Sequence, residues 1–479
     1  MNSSAIIVGL YICLLFLISW VAKRRAAGSA ENYMLAGRKL TTPLITVSIV
    51  GLAVGGASTI GVAEQAYKTG ISAGWYTAAW GIGAIVMGLT VAKKYRELNI
   101  TTIPEMLERY YDKKSMAAGI VSQILVQLVI MSLQYVAGGT ILAALMPEVF
   151  SVQTGMLMSA VVFIGVTMMG GMWSASVSNL FNVSLKYIGI SMAAYFSVKM
   201  VGGMEMVQVN LPTIHGLDFV AGVGPLTIIT WIVVLITVNL SLQSIIQISL
   251  GAKSVHTARK GFIIGGLIML PIGFVSALMG VIASEMYPNI SATLALPQMI
   301  MTLNPWLAGI TLAALWAADV STACNLLLSA ATLYSHDIHK RFISPDMSES
   351  KYMFITRISV LLLGLLTLVL AMTISGIIST LMAGLSLMAA FSVIVLMTLY
   401  APKYCSRGSA FYTILASTVV LILWMTVPAV RVLPHVIYME WLVSGAVFLV
   451  TSALGHSPIG VVAADVKASD EVIATTAVE

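Results

Sequence analysis

Two kinds of residue in this chain carry chemistry that their apolar surroundings do not require. The first is a run of small residues, Gly51-Leu52-Ala53-Val54-Gly55-Gly56-Ala57-Ser58-Thr59-Ile60-Gly61, between the apolar flanks 44–50 and 60–66. Each glycine weakens a helix by about 1 kcal/mol relative to alanine, and a carbonyl freed in hydrocarbon costs several kcal/mol. A break of this composition persists where the freed carbonyls bind something, and such oxygens suit a coupling cation. The second is a pair of opposite charges inside apolar stretches. Asp319 lies between Ala318 and Ser321, and Lys186 lies two turns beyond Asn179 on one helical face. A carboxylate within a membrane costs about 2.5–3.5 kcal/mol on insertion scales and is a functional hypothesis by default. Three readings stand open. Asp319 and Lys186 form a structural pair, or the lysine reaches for the interface. They act as a protonation switch, since buried carboxylates and lysines shift their pKa by several units. Or Asp319 recognises a cationic substrate.

The elements that must position these groups are membrane helices. The chain has 479 residues, of which 59% are hydrophobic and only 9% charged, whereas a soluble domain carries about 25% charged residues. The expected class is an all-α polytopic membrane protein. The excess of Lys and Arg belongs to loops, so nucleic acid is not an expected partner. Residues 1–21 lack a basic start and a small-residue cleavage site, and Lys23-Arg24-Arg25 follows the apolar run; no cleaved signal peptide is expected. Cys13, Cys324 and Cys405 lie in or near apolar spans, which argues against a disulfide framework. No nucleophile–base constellation, P-loop or dinucleotide motif is present, so an enzyme is not expected. His336-Asp337-Ile338-His339 has a metal-like spacing but reads as a basic helix end.

Apolar windows of about 20 residues fall at 5–22, 41–66, 74–95, 115–146, 152–172, 178–201, 225–250, 259–285, 304–334, 354–375, 377–400, 408–428 and 434–454, about thirteen spans. With the N-terminus outside, nearly all Lys and Arg fall in cytoplasmic loops, as the positive-inside rule requires; Lys68 and Arg431 are the clear exceptions. The C-terminus is then cytoplasmic. Spans within 41–201 and 225–402 form two groups of five in opposite orientation. Each opens with an atypical helix: the first has the glycine break, and the second carries Asn239, Gln243 and Gln247 four residues apart on one face. Inverted repeats with broken first helices describe the LeuT-type architecture, here with broken first and sixth core helices. The remaining parts are 1–40, a peripheral helix and cytoplasmic loop, and 403–479, two peripheral helices and a short tail.

Several stretches resemble the sodium:solute symporter family. They are Glu31-Asn32-Tyr33-Met34-Leu35-Ala36-Gly37-Arg38 before the break, Gly170-Gly171-Met172-Trp173, and Gln243-Ser244-Ile245-Ile246-Gln247 followed by Gly251-Ala252-Lys253-Ser254. Ala313-Ala314-Leu315-Trp316-Ala317-Ala318-Asp319-Val320-Ser321-Thr322 and the helix end at Asp337-Ile338 complete the set. The resemblance spans nearly the whole chain. It departs at Ile248, where the family usually has Arg.

The resemblance implies sodium as coupling ion, held by the carbonyls of Gly51, Val54 and Ala318 and the hydroxyls of Ser321 and Thr322. A hard monovalent cation wants several neutral oxygens, and Ala318 and Thr322 are one helical turn apart. Many relatives begin the fifth core helix with Thr-Asp, whose Asp serves a second cation site. Here the pair is Ser178-Asn179, and the family's further polar partners are Cys324 and Asn325. One sodium per solute is therefore expected. The matching substrate positions are Ser58, Thr77, Leu235, Val238 and Thr380, with Trp80 facing the same region; Gln127, Gln134, Tyr135, Asn239 and Gln243 are the other central polar groups. A hexose needs more hydrogen bonds than these offer, so a small non-hexose organic solute is expected.

The expectation is a sodium-coupled symporter of the cell membrane, the inner membrane of a bacterium, working as a monomer with the lipid bilayer and a small solute as its partners. A proton-coupled permease using Asp319 or Lys186 is the alternative. A membrane sensor on the same scaffold is a third reading, disfavoured by a tail of only about 25 residues after Leu454.

Overall fold

The computed structural model of the chain describes residues 3–210, 216–373, 382 and 384–454. Helix starts follow local chemistry. Asp112, Ser151, Ser254, Asn304 and Ser348 each precede a helix and accept a first-turn amide on a side-chain oxygen, the role in which short oxygen-bearing side chains excel.

The helices that position the site are α1 (Ser3–Ala26), α2 (Thr42–Ala53), α3 (Ala57–Thr69), α4 (Trp75–Leu89), α5 (Ile103–Tyr110), α6 (Lys113–Leu145) and α7 (Val152–Met200). They continue with α8 (Pro225–Ser241), α9 (Gln243–Leu250), α10 (Val255–Met286), α11 (Pro305–Ile343), α12 (Glu349–Ala371), α13 (Met388–Tyr400), α14 (Ser409–Thr426) and α15 (Val436–Leu454). Among the described residues, the only strand-like pairing is an isolated bridge between Leu40 and Ala252.

Two helix pairs are bent spans: α2 meets α3 at 60°, and α8 meets α9 at 50°. The first bend falls inside the glycine-rich run. The second falls at Leu242, which is extended (φ −76°, ψ 127°); it lies between the expected polar positions Asn239 and Gln243. Both helices expected to be broken are thus bent in the structure.

Eight described helices are long and apolar enough to cross a membrane, or ten if each bent pair counts as one span. The expectation of about thirteen differs for identifiable reasons. α7 counts once over its 49 residues but is two helices joined at a kink at Gly171, which agrees with the two spans expected at 152–172 and 178–201. A straight helix of that length would run roughly 74 Å, more than twice the roughly 30 Å of a bilayer core. Its one non-helical residue is Gly171 (φ 51°), where a side chain would run into the Tyr33 carbonyl. α4 has 15 residues and is shorter than a full crossing, and most of the start of the expected span 377–400 lies outside the described residues.

α11 is the most buried span and packs on α7, α6 and α1, while α10 packs on α4, α3 and α2. α1, α12, α14 and α15 bury only about a third of their apolar windows and form the lipid-facing periphery.

Candidate functional site

The site is built on the break between α2 and α3. Val54 leaves the helical region (φ −97°, ψ 65°) while its amide still donates to the Val50 carbonyl at 2.9 Å. The carbonyls around it then need partners. The Ala53 carbonyl accepts the Ser58 hydroxyl at 2.7 Å, and the Gly55 carbonyl accepts the Ser58 amide at 3.0 Å and the Thr59 hydroxyl at 3.1 Å. The Gly56 amide donates to Oε1 of Gln134 on α6 at 2.9 Å.

α11 supplies the rest. Ser321 Oγ donates to the Gly51 carbonyl at 2.8 Å and lies 2.8 Å from the Ala318 carbonyl. Thr322 Oγ1 lies 2.9 Å from the Gly51 carbonyl and 3.2 Å from that of Ala318. Two carbonyls and two hydroxyls thus converge in a fully buried cluster, a neutral oxygen cradle of the kind a monovalent cation takes. The fifth expected oxygen, the Val54 carbonyl, accepts instead from Lys186 Nζ at 2.7 Å.

The glycines of the break have a role that their helix-weakening character does not convey. A side chain on Gly51 would lie 2.6–3.0 Å from the Asn179 amide. One on Gly55 would overlap Thr322 Oγ1, and one on Gly56 would lie 2.7 Å from Asp319 Oδ1. The glycines let α6, α7 and α11 bring polar groups against bare backbone.

Three polar side chains here are buried with hydrogen-bonding capacity to spare. Both amide atoms of Asn179 and Oδ1 of Asn325 have no hydrogen-bond partner, and the Asp319 carboxylate has none of ordinary geometry, with the Gly56 amide beside it. Asn325 Nδ2 is fixed on the Ser321 carbonyl at 2.7 Å, and Cys324 turns away to the Phe163 carbonyl at 3.7 Å. Asp319 and Lys186 are close enough for their charges to interact. They do not form the direct pair offered as one reading of the sequence: the lysine hydrogen bond goes to Val54.

The expected substrate positions divide. Ser58, Thr77, Trp80, Gln134 and Asn239 are buried. Thr77 donates to the Ser58 carbonyl at 3.2 Å, Trp80 Nε1 to the Tyr76 hydroxyl at 3.1 Å, and Asn239 Nδ2 to the Leu235 carbonyl at 2.8 Å, leaving Asn239 Oδ1 free. Gln243 stands apart. Its Oε1 accepts the Ile103 amide at 2.8 Å and its Nε2 donates to the Thr101 carbonyl at 3.2 Å, so it braces α5 rather than facing a solute. The α8–α9 break separates it from Asn239 and removes the shared helical face. Thr380 lies outside the described residues.

Two features escaped the sequence reading. At the basic end of the bundle, α5 is tied to the end of α11. Thr102 donates to Asp337 at 2.9 Å, His336 faces Glu105 at 3.5 Å, and Arg341 pairs with Glu108. Opposite charges at 105–108 and 336–341 were the available signal. Glu440, fully buried on the peripheral helix α15 beside Ser386, was also passed over; an acid within the apolar window 434–454 was the clue.

Two bent spans, with an oxygen cradle at one break, belong to a multi-pass helical membrane protein of the LeuT-type fold. The family model "Sodium:solute symporter family" matches residues 33–416, and the chain belongs to that family. That family is one of symporters that couple sodium to a solute, not of enzymes. Over 379 residues the chain is 27% identical to the uncharacterized symporter YidK of Escherichia coli (strain K12), covering 74% of this chain and 66%, just under two thirds, of that protein. It is 26% identical over 406 residues to the sodium/glucose cotransporter of Vibrio parahaemolyticus, covering 75% and 72%. Its fold is similar to that of a Na+-coupled sialic acid symporter, with a TM-score of 0.81 at 17% identity over 95% of this chain and 99% of that one.

Proposed function

We propose that the chain carries one sodium ion together with one small, non-hexose organic solute by alternating access. The observation that carries this reading is the convergence of the Gly51 and Ala318 carbonyls with the Ser321 and Thr322 hydroxyls at a broken membrane helix. An entering sodium takes the lone pairs that the two hydroxyl protons now occupy, and those protons turn away. Holding α2 to α11 through the ion favours one arrangement of the bundle, which is how ion binding couples to solute binding.

A single ion is supported by the polar inventory. Asn179 stands where many relatives carry an Asp, and Cys324 and Asn325 stand where they carry hydroxyl partners, so the residues of a second cation site are missing together. The solute region beside the break comprises Ser58, Thr77, Trp80, Gln134 and Asn239, with Leu235 and Val238 on α8 buried and apolar. Most of these polar groups are committed to backbone, which leaves too few hydrogen bonds for a ring of hydroxyls. The chain acts as a monomer in a bacterial inner membrane with its N-terminus outside and C-terminus cytoplasmic, an orientation supported by the distribution of Lys and Arg.

The test is thermal unfolding of the purified protein in sodium chloride against choline chloride, repeated across a panel of amino acids, carboxylates, sugars and nucleobases. Sodium alone should stabilise the protein, and one non-sugar class should add to it only in sodium. Equal stability in both salts, or hexose as the stabilising class, would contradict the proposal.

A further inference from the structure

Lys186 is out of place beside a cation cradle. It is fully buried on α7, and its ammonium donates at 2.7 Å to the Val54 carbonyl, in the same break as Gly51. A buried ammonium requires a compensating partner, and here the hydrogen-bond partner is a helix carbonyl rather than a carboxylate. Asp319 is as deeply buried, and no side chain hydrogen-bonds to either of its oxygens; the donor beside it is the Gly56 amide. Its Oδ1 packs against Gly56, two residues from Val54. The lysine thus rests on a carbonyl while a carboxylate that no side chain hydrogen-bonds lies near enough on the facing helix for the two charges to interact.

Two cations cannot share this carbonyl. On one oxygen they would stand only a few ångströms apart, and at the effective dielectric of about 20 typical of protein sites their repulsion weakens binding by orders of magnitude. An ion that uses all five oxygens must therefore move the ammonium first. Lysine has a long flexible stem and a compact charge, so it can swing about its own backbone. The Asp319 carboxylate is the charged acceptor within its reach to which it can go.

We propose that Lys186 is a tethered competitor of sodium: its ammonium holds the Val54 carbonyl in the ion-free site, and sodium entering the cradle displaces it towards Asp319. This rests on the sodium reading above and adds a device to it. The lysine caps a carbonyl that would otherwise be bare between transport cycles, and it sets the sodium concentration at which the site fills. The Asp319–Lys186 contact then forms in the ion-bound protein and is absent from the ion-free one.

The experiment is a sodium titration of thermal stability on the full chain in detergent, at constant ionic strength with choline as the balancing cation. Lys186→Gln removes the charge and keeps a donor for the Val54 carbonyl; Lys186→Met removes both and serves if the first variant does not fold. Either neutral variant should reach half-saturation at a sodium concentration at least tenfold below wild type. Lys186→Arg, which keeps the charge, should stay at or above wild type. Asp319→Asn should need at least fivefold more sodium, because the displaced ammonium loses its acceptor. An unchanged or raised half-saturation in the neutral lysine variants overturns the proposal, and so does an unchanged or lowered one in Asp319→Asn. Absence of any sodium response in wild type and neutral variants alike would remove the sodium reading itself, and the proposal with it.

Discussion

Removing one hydroxyl from the cradle separates its structural role from its ion-binding role. In Thr322→Ala the Gly51 carbonyl keeps Ser321 as a donor at 2.8 Å, and the Ala318 carbonyl keeps the same partner at 2.8 Å. The fold therefore loses about one neutral hydrogen bond, roughly 0.5–1.5 kcal/mol. Sodium loses one of five oxygens. An interaction with a full charge is worth about 1.5–3 kcal/mol, so half-saturation should rise roughly 10- to 150-fold. Ser321→Ala is the mirror case, with Thr322 left at 2.9 and 3.2 Å from the same carbonyls, and should shift by a similar amount. The assay is the unfolding temperature of the purified protein against sodium, since a ligand that binds only the folded state stabilises by RT ln(1 + [L]/Kd). The two variants should unfold slightly earlier without sodium and need far more of it to recover. A half-saturation within about twofold of wild type in both, with folded protein, would refute the five-oxygen site.

Other consequences follow from the same geometry. Once a solute is identified, reversal potentials in proteoliposomes with varied sodium gradients should give one sodium per solute; a ratio of two would require a further site. Gly56→Ala, where a side chain would lie 2.7 Å from Asp319 Oδ1, should destabilise by about 1–3 kcal/mol as an overpacked core position, whereas Gly445→Ala, with nothing within 4 Å, should stay within about 0.5 kcal/mol of wild type in thermal unfolding. Gln243→Ala, which removes a brace on Ile103 and Thr101, should lower stability by about 1–3 kcal/mol while leaving the sodium half-saturation unchanged; a selective loss of solute binding would return Gln243 to the substrate site.

The glycine break was legible because its composition conflicts with its setting: small residues interrupt an apolar span, and the conflict is local. The second break was harder to place. It falls at Leu242, an apolar residue with no intrinsic tendency to break a helix, and polar positions on both sides were the only sign. Asn239 and Gln243 looked like one face because a continuous helix was assumed; the bend gives them different partners. The family motifs pointed to five oxygens, of which those of Gly51, Ala318, Ser321 and Thr322 meet in the structure while that of Val54 is taken by Lys186. The lysine contact could not be read from sequence, because Lys186 and Val54 are separated by 132 residues and only the packing of α7 on α2 brings them together. The same holds for the glycines. Helix propensity explains why they weaken α2, but only the approach of Asn179, Thr322, Gln134 and Asp319 explains why nothing larger fits.

Equilibrium binding of radioactive sodium to the purified protein tests the central claim most directly. Wild type should bind sodium saturably, approaching one ion per chain, and Ser321→Ala/Thr322→Ala should abolish saturable binding while remaining folded. No saturable sodium binding in wild type, or binding that survives loss of both hydroxyls, would contradict a sodium site at this broken helix.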